Sequence, residues 1–538
     1  MILPWSKKLT VSSTAEATII VACLFATAVV TSRISRHHAI ISTPTTTTSA
    51  IAIAIVLIMG TTKIWRLWHK HNNASKHSNT NNESEKQKPL PPMAPYGFLQ
   101  TIHHLTGPDL PWFCLRIART PSIGPIFRIQ THPFNWGPPA VVTADAKLAQ
   151  SVLRESTSYK HRAIYGIFEK VGGPSIFSSE GGRWHHVRKA VAPAFSSKQV
   201  ARMNSIISKQ IRQWMEEDFV PNYVETGKPF DPSDELLRQM LKGISLAGFE
   251  YDISNEEIDM VLLELSIAFR EISFQASNPL RETFSRFHRA GRRMMLSSAR
   301  SRDFAHSVLD HYRKQKHPQE GTTIISLIAQ NDNYESDDDR CSDIMAFYIA
   351  GHDTTAYTLA WILLELSRKE NSMEQTRLRM ALRQASMQQN SDSDRIYIPE
   401  LKRVVKEGMR LHPVVPNINR TLAKDFVTED YFIPKGSHVA IATLSIHRNA
   451  ECFKEPDVFR PSRWEDPSEQ EALMVAAYLP FALGRRNCVG QSLAYAEIYN
   501  VLAILLVDYE LRVVDEGKVD FFVTLKPLGV KLIATKVQ

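Results

Sequence analysis

The chain has 538 residues, of which 43% are hydrophobic and 22% charged, a composition that excludes collagen-like, disulfide-dense and wholly disordered classes. A net charge of +8 does not mark a nucleic-acid surface, because residues 1–88 hold ten Lys or Arg against three acids and leave a net of only +1 for the body. The five cysteines (Cys23, Cys114, Cys341, Cys452, Cys488) show no CxxC or other zinc-ligand spacing, and an odd, sparse set argues for a reducing compartment rather than a disulfide framework.

Two apolar stretches open the chain, at residues 17–30 and 50–60. A membrane-crossing helix needs roughly 20 residues, a length each stretch reaches only with its flanking Thr and Ser. The reading is one or two membrane anchors, with a cleaved signal or transit peptide as the alternative for the first. Lys63, Arg66 and Lys70, with Trp65 and Trp68, follow the second stretch, so the positive-inside rule and the aromatic belt put that flank and the body behind it in the cytoplasm. The Ser/Thr-rich, nearly acid-free leader also resembles an organelle transit peptide, which keeps a plastid or mitochondrial membrane as the second address. Sequons at Asn73-Ala74-Ser75 and Asn82-Glu83-Ser84 test topology, since a glycan on either places the linker in the lumen. Residues 71–88 are almost free of apolar side chains and read as a solvated linker. The prolines between Pro89 and Pro95 favour polyproline geometry and a semi-rigid spacer. The expected division is an anchor or targeting region at 1–70, a linker at 71–95 and one undivided domain at 96–538.

From about residue 100 helical periodicity dominates, with strand-like patches at 125–129, 140–143 and 439–443, so the body is mainly α with a small sheet region. Polar, acidic stretches at 331–340 and 387–394 read as surface loops. Trp184 and Arg188 lie four apart on one helical face, and Glu407 and Arg410 form an i, i+3 pair. Between them, Asp343 to Leu366 reads as one long apolar helix carrying Ala350-Gly351-His352-Asp353-Thr354-Thr355. Farther on come Phe459-Arg460-Pro461-Ser462-Arg463-Trp464 and then Phe481-Ala482-Leu483-Gly484-Arg485-Arg486-Asn487-Cys488-Val489-Gly490. Helical spacing from Val489 onward puts Cys488 at a helix N-terminus, where unpaired N–H groups and the helix dipole favour the thiolate.

Phe481, Gly484, Arg486, Cys488 and Gly490 fill every fixed position of Phe-x-x-Gly-x-Arg-x-Cys-x-Gly. Over residues 89–535 or so the chain resembles the cytochrome P-450 superfamily of haem-thiolate monooxygenases. The resemblance implies a triangular, mostly helical body preceded by transmembrane segments, and haem b held by the Cys488 thiolate, which pushes electron density to iron. It further implies that Gly484 and Gly490 let backbone approach the macrocycle, that Phe481 shields the sulfur, and that Arg486, Trp184, Arg188 and Arg420 hold the propionates. Ala350 and Gly351 would give dioxygen space, and Asp353 and Thr354 would relay protons on the distal side. Glu407, Arg410 and Arg463 would form the buried network that locks the cysteine loop.

The Gly-His-Asp-Thr-Thr version is similar to that of fatty-acid-hydroxylating branches, with carotenoid- and sterol-processing branches close by. Ala350 stands where some of those branches carry a Glu that tethers haem, so covalent haem is not expected. Ile164 to Phe168, Phe347, Val414 and Val415 are the substrate-facing candidates, and their apolar character implies a fatty acid, sterol or other lipid or terpenoid. No Gly-rich dinucleotide fingerprint is present, so NADPH-derived electrons must come from a separate protein. At the endoplasmic reticulum membrane that would be an NADPH–haemoprotein reductase, with cytochrome b5 as a further donor, and in an organelle a ferredoxin. Two other readings stand beside the monooxygenase. A peroxide-rearranging or dehydrating enzyme of the same fold is disfavoured by Asp353 and Thr354, and a non-enzymatic membrane haem protein would not need the small-residue distal helix.

Overall fold

The computed structural model describes residues 88–537, apart from 106, 132–137, 277–278, 316–320, 389–397 and 466–475. The apolar stretches at 17–30 and 50–60 and most of the linker lie outside the described residues. Among those described, no helix is long and apolar enough to cross a membrane.

The principal helices are α1 (Gly181–Val191), α2 (Ser197–Trp214), α3 (Pro232–Phe249), α4 (Asn255–Ala276), α5 (Arg289–Lys314), α6 (Ile324–Ala329), α7 (Asp337–Ser367), α8 (Ser372–Gln388), α9 (Pro399–Leu411) and α10 (Gln491–Leu506). Helix α7 is the axis of the body. Its start was read as loop, but Ser336 caps it by accepting the Asp339 N–H at 3.2 Å, and Asp337, Asp338 and Asp339 complement the positive end of the dipole. Beyond Cys341 α7 is buried on almost every face, because α3, α5, α9 and α10 pack around it. Helix α9 approaches closely at Gly408, where a Cβ would overlap the Ile362 side chain.

The main sheet uses β1 (Ile126–Ile129), β2 (Ala140–Thr143), β3 (Tyr159–Lys160), β4 (Asn417–Thr421) and β5 (His438–Ala442), in the order β1-β2-β5-β4-β3. The β2–β5 pair is parallel and the other pairs are antiparallel. Its first, second and fifth strands coincide with the sequence patches to within a residue. The short β3 carried no periodic signal and exists because it pairs with β4, placing Lys160 opposite Arg420. Near the C-terminus, β6 (Tyr509–Asp515) pairs with β9 (Lys531–Lys536), and β7 (Lys518–Phe521) with β8 (Leu525–Leu528).

The Pro-rich run does not stand off the body as a spacer. Pro92 accepts the Arg128 N–H at 2.7 Å, Ala94 donates back to Arg128 at 2.8 Å, and Pro89 accepts the Phe432 N–H at 2.9 Å. Proline lacks an N–H but keeps its carbonyl, so the run serves the sheet edge as an acceptor.

Candidate active site

Cys488 sits in a loop pinned at both ends. Its N–H donates to Phe481 at 3.0 Å and the Asn487 N–H donates to Gly484 at 3.2 Å. Ala482 and Gly484 both take left-handed φ values, 58° and 74°. At Gly484 a Cβ would also run into the Leu153 carbonyl, so this glycine is needed for the turn and for docking on Leu153 rather than for access to a macrocycle. Gly490 caps α10, and a Cβ there would lie 3.9 Å from the Cys488 sulfur, an ordinary contact. The Phe481 ring packs edge-on against Tyr495 at 5.0 Å.

Cys488 is an exposed residue although the helix behind it is core. Surrounding protein pushes the thiol up; the Gly490 N–H and the Arg188 guanidinium pull it down but do not prevail. The helix terminus alone therefore does not ionise Cys488, contrary to the sequence expectation. Desolvation outweighs it, and a metal cation at the sulfur would reverse the balance.

The loop's support is a carboxylate ringed by donors. Glu407 Oε1 accepts from Arg410 Nη2 at 2.8 Å, Arg463 Nε at 2.9 Å and the Arg460 N–H at 2.8 Å. Its Oε2 accepts from Arg410 Nε at 2.9 Å and Trp464 Nε1 at 3.1 Å. The Glu407, Arg410 and Arg463 side chains are all fully buried. The remaining guanidinium hydrogens go to the carbonyls of His447, Pro456, Val458, Lys454 and Glu455, which ties α9 to the chain leading into the cysteine loop.

Beside the loop lies a group of cations. Arg188 on α1 donates to the Asn487 carbonyl at 3.1 Å and to its side-chain oxygen at 2.9 Å. Arg486 lies 3.7 Å from the centre of the Trp184 ring, donates to the Ser179 carbonyl at 2.9 Å and pairs with Glu180. Arg420 is buried on β4 and donates to Asn419 at 2.9 Å. Lys160, which sequence reasoning missed, completes the group. Burial, then Arg420 and Arg486 and, more weakly, Arg188, push its ammonium down to about 7, against the pull of Glu180. Four cations against one carboxylate are unbalanced, and a dianion would correct it. Lys160 could have been found only through the β3–β4 register, since Tyr159-Lys160-His161 matches no motif.

The distal helix departs from expectation at Gly351. The small size of Gly351 serves packing, because a Cβ would stand 3.1 Å from Ile244 of α3; Ala350, which is exposed, leaves the space instead. The Asp353 carboxylate accepts the Thr524 hydroxyl at 2.6 Å and has Lys526 at 3.5 Å, so the segment around the start of β8 holds it. His352 is buried, bonded to the Tyr348 carbonyl at 2.7 Å and pushed down by burial. Thr354 bonds the Ala350 carbonyl at 2.8 Å. A further carboxyl emerges on α10: Glu497, bonded by Thr355 at 3.4 Å and pushed up to about 8 by burial, keeps its proton at neutral pH. Its signal in the sequence is a lone acid inside an apolar helix.

Of the substrate-facing candidates, Phe347 is buried against Phe195, with ring centres 6.0 Å apart, and Phe168 meets Phe177 edge-on at 5.2 Å. Val414 accepts the Leu525 N–H at 2.9 Å, and Val415 is exposed.

The cytochrome P450 family profile, here written P-450, matches residues 91–534. The chain belongs to the cytochrome P-450 family. As a P-450 it is a haem-dependent monooxygenase of lipophilic substrates that draws electrons from a redox partner. Its relatives include cytochrome P-450 4F6 of Rattus norvegicus, 28% identical over 65% of this chain and 69% of the relative, and cytochrome P-450 4F8 of Homo sapiens, 25% identical over 69% and 76%. Leukotriene-B4 omega-hydroxylase 3 of Mus musculus is 25% identical over 69% of this chain and 75% of its own. The crystal structure of the cytochrome P-450DA heme domain shares the fold, with a TM-score of 0.70 at 23% identity over 84% of this chain and 98% of that one. A second P-450 crystal structure gives 0.71 at 20% identity over 84% and 100%. The residues present fit haem: a thiol on a locked loop, free of any disulfide, answers the iron, and the unbalanced cations answer two propionates.

Proposed function

We propose that this P-450 hydroxylates a long-chain lipid, with Cys488 as the iron ligand and NADPH-derived electrons delivered by a separate reductase at a membrane. The observation that carries the reading is Cys488 on its locked loop beside the cations Lys160, Arg188, Arg420 and Arg486. Haem with a thiolate ligand, when bound, supplies the activation of dioxygen. Arg188, Arg420, Arg486 and Lys160 hold the propionates, and Trp184 supports Arg486 through its ring face. Glu407, Arg410 and Arg463 fix the loop. Thr354 offers its hydroxyl on the distal side, and Asp353, tethered by Thr524 and Lys526, supplies the proton behind it.

A lipid is favoured by the aromatic wall of Tyr165, Phe168 and Phe177, and by the relative named for omega-hydroxylation of leukotriene B4. The basic, aromatic flank of the second apolar stretch favours the endoplasmic reticulum membrane with the catalytic body in the cytosol. The test is expression with a reductase, followed by binding spectra and product analysis across fatty acids, eicosanoids, sterols and carotenoids. A fatty acid or eicosanoid should displace the distal water and give an NADPH-dependent hydroxylated product. If no lipid shifts the spectrum and none is oxidised, the lipid reading fails.

A further inference from the structure

A buried carboxylate with no part in the chemistry above lies at the start of α7. Asp343 is fully buried, and its Oδ1 accepts the Ile176 N–H at 2.5 Å. Its Oδ2 accepts the Tyr334 hydroxyl at 2.9 Å and lies 3.8 Å from Arg183 of α1. Arg183 in turn donates to the Pro174 carbonyl at 2.8 Å and pairs with Asp339 at 3.0 Å. The main chain at 173–176 thus presses on α7 from two sides, and a Cβ at Gly173, where φ is 90°, would overlap the Ser342 hydroxyl.

The far end of the same segment touches the site. The Phe177 ring meets Tyr165 at 5.3 Å and Phe168 at 5.2 Å, and its carbonyl accepts from Lys160. Ser179 and Glu180 both hold Arg486. Residues 174–180 therefore form a strap, fastened at one end by Asp343 and carrying at the other an aromatic wall residue and the partners of two cations.

We propose that Asp343 is a positioning residue: it fastens the strap through the Ile176 N–H and so sets the aromatic wall over the substrate side of the site. The substrate part of this rests on the lipid reading above; the fastening does not. Tyr334, Arg183 and Asp339 face the carboxyl, and Arg340 lies over the Tyr334 ring at 5.5 Å. Helix α6, packed on α1 and α7, brings no titratable group, and Glu169 and Lys170 of the adjacent short helix pair elsewhere, with Arg162 and Glu282.

Burial is the largest influence on Asp343 and pushes it from 3.8 up to about 6. The fastened strap thus binds the proton more tightly than an open strap with a hydrated carboxyl. Linkage then gives the sign: fastening strengthens as pH falls through about 6 and is weakest above it.

The test is amide exchange of peptides covering residues 174–180 in the haem-loaded protein between about pH 4 and about pH 8, each corrected for its intrinsic rate. In the wild type, protection should drop by up to about a hundredfold as pH rises through the window. Asp343→Asn, a neutral isostere that still accepts the Ile176 N–H, should hold high protection with no pH dependence. Asp343→Ala should lose it at every pH and weaken palmitate binding about tenfold, with the thiolate spectrum unchanged. An Asp343→Asn profile that follows the wild type, or wild-type protection in Asp343→Ala, overturns the proposal. If palmitate and every other lipid of the panel fail to bind the wild type, the lipid reading fails, while the strap is decided by the exchange profile.

Discussion

Replacing Glu407 by Ala tests whether the network behind Cys488 holds the site together. Five hydrogen bonds converge on this carboxylate, four of them from Arg410, Arg463 and Trp464 side chains. Its removal leaves two fully buried guanidinium groups facing each other without a counter-charge. Breaking a buried pair in this way costs roughly 3–5 kcal/mol. An exposed pair such as Asp109–Arg116, with side chains 40% and 55% accessible, is worth at most about 1 kcal/mol. Against a total stability of about 5–15 kcal/mol, the first loss is a large fraction and the second is minor. Glu407→Gln should fall between, because one amide face presents a donor to other donors. The assay is urea unfolding of haem-loaded protein, with haem retention followed by Soret absorbance after gel filtration. Glu407→Ala should unfold at much lower urea and shed haem, while Asp109→Ala matches wild type. Equal midpoints and equal haem retention for Glu407→Ala would refute the network's role.

Thr354→Ala should leave oxygen consumption running while product per oxygen falls steeply, general acid–base contributions being of the order of 100-fold; intact coupling, measured as product against oxygen consumed, would refute the relay. In the haem-free protein, Lys160 releases its proton near 7 when folded and near 10.5 when unfolded, so its contribution to stability rises with pH across that interval. Lys160→Met should therefore stabilise the haem-free protein most at and below about pH 7, with the gain fading toward pH 10.5, and weaken haem binding, both measurable by denaturation and haem titration. Gly408→Ala should cost about 1–3 kcal/mol by thermal unfolding, since its Cβ would overlap the Ile362 side chain where α9 meets α7.

The residues in short, fixed spacings were legible in the sequence: the Cys488 loop, the Glu407–Arg410 pair and the long helix through Thr354. What was not legible depends on contacts distant in the chain. Lys160 joins the cations only because β3 pairs with β4 far downstream, and Asp353 is held by Thr524 and Lys526, which lie far beyond it. Small residues were read for the wrong neighbour, Gly351 facing Ile244 and Gly484 facing Leu153, because a sequence shows which residue lacks a side chain but not what fills the room. The Pro-rich run was taken for a spacer because closely spaced prolines favour polyproline geometry, although their carbonyls still accept from the body. Cys488 marks the largest difference in kind. Its motif and helix boundary were plain, yet the thiol's resistance to ionisation comes from the atoms that close around it.

The most direct test of the account is turnover under isotopically labelled dioxygen, with a reductase, NADPH and a fatty acid or eicosanoid. The account predicts one labelled oxygen atom in the lipid product and the other in water, with Cys488→Ser lacking both the product and the thiolate-type carbon monoxide spectrum. Product without label, or undiminished labelled product from Cys488→Ser, would contradict it.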